Sequence, residues 1–332
     1  MSSALGPQEP SVDQLVEAIL AGDRATIGRS ITLVESRAAR HRERAVELLT
    51  RLLPHSGGAV RLGITGVPGV GKSTFIESLG MQLIGAGRRV AVLAIDPSSQ
   101  RSGGSIMGDK TRMERLANHP SAFVRPSPSG EVLGGVAGRT AEALTICEAA
   151  GFDVVIVETV GVGQSETLVA GLVDFFLVLM LPNAGDELQG IKRGVMELAD
   201  LIVVNKADGE NRKAADRARR QYASALKLIP PRFPSWRPPV LCASGLEGSG
   251  LGPIWEAVVR HRALLEEGGA LARLRAEQAV DRVWRLVESE LVAILRHDPE
   301  LQARIPKIEA GVRAADIPPL AAALALVDRF RR

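Results

Sequence analysis

Arg61-Leu-Gly-Ile-Thr-Gly66-Val-Pro-Gly-Val-Gly71-Lys72-Ser73-Thr74 decides how the rest of the chain is read. It fits the pattern G-x-x-x-x-G-K-[ST] of a phosphate-binding loop. Before it, Val60 to Ile64 reads as a short buried strand. After it, Phe75, Ile76, Leu79, Leu83 and Ile84 recur at helical spacing and predict a helix over 74–84. A strand, a glycine-rich turn and a helix N-terminus aim a row of backbone N–H groups at one point, where an anion is stabilised. The loop is Gly66, Val67, Pro68, Gly69, Val70 and Gly71. Lys72 is placed to put a point charge on the β- and γ-phosphates of a nucleotide. The Ser73 hydroxyl, beside Thr74, is placed to bind Mg²⁺.

Outward from that loop, strands and helices alternate, which implies an α/β fold: a mostly parallel sheet with helices on both faces. Strands are predicted at 60–64, 89–95, 153–157, 175–181, 201–204 and 240–242. Ligands of such sheets bind outside the carboxyl ends of the strands, where Asp96, Glu158 and Asn205 fall. Ahead of the sheet, Ser11 reads as a helix cap for Val12 to Leu20, and a second helical pattern covers Ala25 to Leu53. Beyond it, Val280, Val283, Val287, Leu291 and Ile294 make a narrow apolar stripe on a charged helix. By itself the stripe favours packing on its own domain over packing on a second copy. The expected organisation is a helical extension at 1–58, a nucleotide domain at 59–265 and a helical arm at 266–332.

Composition narrows the partners. Of 332 residues, 45% are hydrophobic and 24% charged, an ordinary globular mix. A net charge of +3 with 3% aromatics argues against nucleic acid. Cys147 and Cys242 lie far apart, so neither a disulfide framework nor a Cys-x-x-Cys metal site is expected. No stretch predicts a leader or a membrane span, and the expected location is the cytoplasm.

Asn205-Lys206-Ala207-Asp208 follows the fifth predicted strand. A carboxylate at Asp208 accepts hydrogen bonds from both the ring N–H and the exocyclic amino group of guanine. Adenine offers an acceptor where guanine has the ring donor, so the same carboxylate disfavours it. Asn205 is placed to tie this loop to the phosphate loop, and the Lys206 stem to cover the base. Ser244-Gly245-Leu246 falls where a further loop donates a backbone N–H to the guanine oxygen. Asp96 and Glu158 are hard carboxylates suited to Mg²⁺. Glu158-Thr-Val-Gly161 parallels the D-x-x-G loop of GTPases, with Gly161 poised for the γ-phosphate and Gln164 a candidate for positioning water. The polar, glycine-containing stretches 101–112 and 185–192 hang over the same edge.

Together, Gly-Val-Pro-Gly-Val-Gly-Lys-Ser-Thr, Asp-Pro-Ser-Ser (96–99), Gly-Asp-Lys-Thr-Arg-Met (108–113), Glu-Thr-Val-Gly-Val-Gly-Gln-Ser-Glu (158–166) and Asn-Lys-Ala-Asp resemble the MeaB/MMAA (formerly ArgK) GTPases, from about residue 12 to 295. The resemblance implies a P-loop G domain of the SIMIBI type, binding GTP or GDP with Mg²⁺ and hydrolysing GTP slowly. It implies a chaperone that gates cofactor loading of adenosylcobalamin-dependent methylmalonyl-CoA mutase and protects that enzyme. It also implies a homodimer through the C-terminal arm, against the reading of the stripe alone. Asp96, Asp109 and Glu158 fall on acidic positions associated with Mg²⁺ and switch movement, and Lys192 on a segment that responds to the mutase. The mutase, rather than this chain, is expected to carry cobalamin. Family members commonly have Ser-Ala where this chain has Ser244-Gly245, which implies a looser base loop here. Two alternatives stay open: a transport-protein kinase, as the older family name suggests, and a nickel-insertion GTPase, although that needs His or Cys clusters. An ATPase of the partitioning type is disfavoured by Asn205 to Asp208 and by the absence of an early lysine in the phosphate loop.

Overall fold

A computed structural model of the chain describes residues 9–36, 38–96, 113–128, 133–159, 165–182 and 193–328, with the side chains of 39, 95, 96, 127, 128, 133–138, 165 and 193 outside the description. Contacts cluster into two units, Met1–Ala279 and Val280–Arg332.

Among the described residues the first unit is built on seven parallel strands: β1 (Val60–Gly66), β2 (Val90–Asp96), β3 (Ala122–Pro128), β4 (Val154–Thr159), β5 (Phe175–Met180), β6 (Leu201–Val204) and β7 (Val240–Cys242). Their order is β3-β2-β4-β1-β5-β6-β7. The register sets Ile64 beside Glu158 and Gly66 beside Leu179, so the strand ends that face the phosphate loop are level.

Alternation along the strands divides the core into two layers. In β5, Phe175, Leu177 and Leu179 join one layer and Phe176, Val178 and Met180 the other. Burial on both faces explains why these strands are unbroken apolar runs, and each sealed Val, Leu or Phe contributes about 1.5–3 kcal/mol. The layer of Phe176, Val178 and Met180 is covered by α1 (Val12–Leu20), α2 (Arg24–Glu35) and α3 (Ala39–Leu52), through Leu15, Ile19, Ile27, Ile31, Leu48 and Leu52. The helical extension is therefore part of the core. On the opposite layer lies α4 (Lys72–Gly85), through Phe75, Ile76, Leu79 and Leu83.

Among the described residues the remaining helices, in chain order, are α5 (Glu114–Asn118), α6 (Leu133–Ala149), α7 (Ser165–Ala170), α8 (Arg193–Leu198), α9 (Arg212–Leu226), α10 (Leu251–Glu267), α11 (Ala270–His297), α12 (Pro299–Arg313) and α13 (Pro319–Val327).

Ser11 caps α1 as expected: its hydroxyl accepts from the Gln14 N–H, and the Gln14 side chain accepts from the Ser11 N–H. Three expectations need correction. The helical pattern over 25–53 is two helices, because the chain leaves helical geometry at Ser36, whose ψ is 140°. The phosphate-loop helix starts at Lys72, two residues earlier than its apolar spacing shows. The strand Ala122–Pro128 is absent from the six predicted ones. It contains Pro126 and Pro128, which cannot donate to a ladder, and it is tolerated because β3 is an edge strand paired with β2 alone.

A buried ionic cluster closes the amino-terminal end of β1. Arg61 forks onto Glu148 at 2.8 Å, and Arg275 forks onto Asp174 at 2.8 and 2.6 Å. Asp174 also accepts from the Arg61 N–H, and Glu148 from the Gly57 N–H. Partners this complete keep the cost of burying the charges low.

In the second unit α12 is capped by Asp298, whose Oδ1 accepts from the N–H groups of Glu300 and Leu301, with Pro299 in the first helical turn. Leu301 and Ala322 are buried there. The apolar stripe Val280, Val283, Val287, Leu291 and Ile294 is exposed, as is Trp284 beside it.

Candidate functional site

The phosphate loop joins β1 to α4 at the carboxyl edge of the sheet. Gly71 caps α4 with φ 89°, a left-handed conformation that L side chains rarely adopt, and a Cβ there would come within 3.1 Å of the Asn205 amide nitrogen. This geometry exposes the first N–H groups of α4, the donors that a helix leaves unpaired. The Lys72 ammonium donates to the carbonyl oxygens of Gly66, at 2.9 Å, and Val67, at 3.4 Å, so the charge lies over the loop. Val70 is sealed in the core, while Pro68 and Gly69 are exposed at the tip and Thr74 is exposed on α4.

Asn205 joins this loop to the base loop. Its side chain is 2% exposed. Its Nδ2 donates to the Val70 carbonyl at 2.8 Å, and its Oδ1 accepts from the Gly245 N–H at 3.0 Å. One amide thus satisfies a buried acceptor on the phosphate loop and a buried donor on the loop after β7. Lys206 follows with φ 58°, an uncommon conformation for a residue with a side chain, and is exposed. Such strain persists where the surroundings fix it; here the next residue is held by the Ala207 N–H donating to the Ala243 carbonyl at 3.0 Å. Asp208 accepts from the Ser244 hydroxyl through Oδ2, which orients its carboxylate. Leu246 is 80% exposed.

The base loop is not looser for having Gly245. A Cβ at that position would lie 2.8 Å from Phe75 Cα and 3.0 Å from Phe75 N. Glycine lets the loop lie against the backbone of α4, and the Ser78 hydroxyl fastens it there by donating to the Gly245 carbonyl at 2.6 Å. Ser78 was not singled out from sequence. Its partner is 167 residues away, and a serine inside a helix carries no signal of such a bond.

Ser73 and Glu158 are brought together: the Ser73 hydroxyl donates to Glu158 Oε1 at 3.4 Å, and Glu158 is 6% exposed. Two hard oxygen groups on a mostly buried wall fit Mg²⁺, which takes few protein ligands and keeps several waters. Asp96 ends β2, and its side chain lies outside the description. Asp109, Gly161, Gln164 and Lys192 also lie outside the described residues, as do 101–112 and 185–192. Beyond Glu158, the hydroxyl of Thr159 donates to that of Thr65 at 2.6 Å, a buried bond that continues the β1–β4 pairing to the root of the phosphate loop. Among the described residues, no group of three or more His, Cys, Asp or Glu is placed to hold a metal, and no helix is long and apolar enough to cross a membrane.

A parallel sheet that carries a phosphate loop, with a guanine-type Asn-Lys-x-Asp segment wired to it through a buried amide, belongs to the P-loop GTPases. The family model described as methylmalonyl Co-A mutase-associated GTPase MeaB matches residues 27–300. A putative GTPase of Caulobacter vibrioides is 55% identical over 319 residues, covering 96% of this chain and 98% of the relative. The mouse methylmalonic aciduria type A homolog, mitochondrial, is 42% identical over 330 residues, covering 96% of this chain and 80% of the relative. A solved structure described as a LAO/AO transport system kinase superposes with a TM-score of 0.76 at 38% identity, covering 99% of this chain and 100% of the other. The chain belongs to the MeaB family of GTPases.

Proposed function

We propose that this GTPase is a slow, Mg²⁺-dependent switch that serves as chaperone to an adenosylcobalamin-dependent methylmalonyl-CoA mutase in the cytoplasm, gating cofactor loading and protecting the mutase from inactivation. The observation that carries the nucleotide part is the Asn205 side chain, bonded at once to Val70 O and Gly245 N–H, because it aligns a phosphate loop with a guanine-reading loop. The client is supported by the description of the matching family model. Asp208, oriented by Ser244, accepts from the guanine edge, and Lys206 covers the base. Gly66 to Thr74 wrap the phosphates with backbone N–H groups, and the Lys72 ammonium moves from the Gly66 and Val67 carbonyls to the β/γ-phosphates. These preset donors stabilise charge on the transferring phosphoryl group while water attacks in line. Ser73, Glu158 and Asp96 would hold Mg²⁺, which when bound neutralises phosphate charge. Asp109 and Lys192 are the residues through which mutase binding speeds hydrolysis. The chain carries no cobalamin itself. Residues 266–332 form the arm through which two copies pair, a reading supported by the exposed stripe Val280 to Ile294.

The test is GTP hydrolysis by the purified protein alone and with apo- and holo-mutase, with ATP as control nucleotide. Slow turnover of GTP, accelerated by the mutase and reduced at least 100-fold by Lys72→Ala, is expected. Unchanged hydrolysis in Lys72→Ala refutes the site, and turnover indifferent to the mutase refutes the client. The description of the 38%-identical solved structure supports a second reading, a kinase acting on a transport protein. Transfer of the labelled γ-phosphate to a protein instead of water would establish it.

A further inference from the structure

A cleft of about 440 Å³ opens at the amino-terminal edge of the sheet, the end opposite the phosphate loop. Its volume is that of a small-molecule site. β1 separates the two ends by roughly 20 Å, at about 3.3 Å per residue. The walls are the starts of β1 and β4, the segment from His55 to Ala59, and one face of α10, where Trp255, Val259 and Arg262 fall at i, i+4 and i+7. Val60, Phe152, Trp255 and Val259 make an apolar strip. Val259 is 48% exposed and Trp255 half-buried, although Ile254, Ala257 and Val258 on the same helix are sealed.

Two cations border the strip, Arg88 and Arg262, with the His55 imidazole also on the lining. Two acids also line the cleft, each facing an arginine: Glu148 with Arg61, and Asp153, whose side chain is 40% exposed, with Arg88. Both oxygens of Glu148 are taken by Arg61 and the Gly57 N–H, and its side chain is fully sealed. Asp153 accepts from the Arg89 N–H at 2.7 Å and faces Arg88 at 3.9 Å. The Arg88 side chain is 54% exposed, so its planar fork is available to a ligand. The wall is fastened in advance: Arg262 donates through Nη2 to the Gly58 carbonyl at 3.1 Å and through Nε to Glu266 at 2.7 Å, which leaves its Nη1 for a ligand, and Arg275 donates to the carbonyls of Gly57 and Ala59. A wall already ordered need not be ordered on binding.

We propose that this cleft is a second ligand site, separate from the nucleotide site, for a small organic anion with an apolar body. The anionic group sits on Arg88 and Arg262, and the body lies along Trp255 and Val259. Calorimetric titration of the full chain with 2-naphthoate tests it, with 2-naphthylmethylamine as cationic control. One saturable site for the naphthoate and none for the amine is expected. Arg88→Gln combined with Arg262→Gln should weaken naphthoate at least 10-fold. Val259→Trp, which fills the cleft from an exposed position without altering charge, should do the same. GTP affinity should stay within 2-fold of wild type in both variants. Absence of saturable naphthoate binding, equal binding of the amine, or binding indifferent to Val259→Trp overturns the proposal. Should the double variant not fold, Val259→Trp decides alone.

Discussion

Replacing Asn205 separates the two halves of the nucleotide site without touching a residue that reads the base. In Asn205→Ala the Val70 carbonyl and the Gly245 N–H lose their partner, and both bonds lie in the buried interior. Each orphaned buried group costs about 1–3 kcal/mol. Because both depend on one side chain, we expect a total in the lower half of the sum, about 2–4 kcal/mol. Thermal unfolding should shift down by roughly 4–8 °C. If the bound state requires the two loops in their present alignment, nucleotide affinity falls by up to the same energy, roughly 30- to 1000-fold. GTP and GDP should lose alike, since Asn205 is bonded to protein groups shared by both complexes. Asn205→Asp sharpens the test. It keeps an acceptor for the Gly245 N–H but sets an acceptor against the Val70 carbonyl, so it should be at least as damaging as alanine. The assays are calorimetric unfolding and competition against a fluorescent GDP analogue. A melting temperature within 1 °C of wild type together with affinity within 3-fold would falsify the claim that this amide aligns the site. Full rescue by Asn205→Asp would show that the bond to Val70 contributes nothing.

Two further predictions concern the glycine behind the base loop and the buried histidine of α10. Gly245→Ala sets a Cβ 2.8 Å from Phe75 Cα, and backbone on both sides cannot yield cheaply. We expect a loss of about 1–3 kcal/mol in stability and a reduced preference for GTP over ATP, read by competition binding; an unchanged preference counts against the tight-loop account. His261 is caged by the rings of Phe175, Phe233 and Trp236, and its Nε2 lies 3.8 Å from Asp200 Oδ1, with neither atom hydrogen-bonded. Burial, aided by Arg232, lowers the His261 pKa to about 4, and burial, opposed by Arg232, raises that of Asp200 to about 6. Between pH 4 and 6.5 the unfolded chain protonates this histidine and the folded chain does not, so its contribution to stability is lost as pH falls. Between 3.8 and 6 the folded chain retains the Asp200 proton that the unfolded chain releases, so that contribution is lost as pH rises. The two slopes oppose each other, each worth up to about 3 kcal/mol. His261→Phe should leave the aspartate slope alone, making the variant more stable at pH 4.5 than at pH 7 relative to wild type; urea unfolding at both values checks it, and parallel pH profiles would refute it.

How much of this was legible in the sequence depends on how far apart the cooperating residues lie. The phosphate loop is contiguous, and a strand, a glycine turn and a helix start leave local patterns, so β1, the loop and α4 could be read directly. The apolar runs of β4, β5 and β6 were equally plain, because burial on both faces removes polar residues from a strand. β3 was not, because Pro126 and Pro128 argue against a strand unless it is known to stand at an edge, and edge position is a property of the assembled sheet. The Asn-Lys-x-Asp segment after β6 and the Ser244 to Leu246 loop marked the guanine site as a set of residues through their chemistry. That Asn205 ties the two loops was legible, but the tertiary structure decided the partner atoms: Asn205 reaches Val70 across 135 positions and Gly245 across 40, and Ser78 reaches Gly245 across 167. It also reversed the expectation for Gly245, since closeness to Phe75 arises from packing that no local pattern encodes. The chain thus determined its own elements and their chemistry through short-range periodicity and steric preference. Folding determined which elements became edges, which polar atoms became partners and where a cleft remained, because each of those depends on residues that become neighbours only when the sheet is complete.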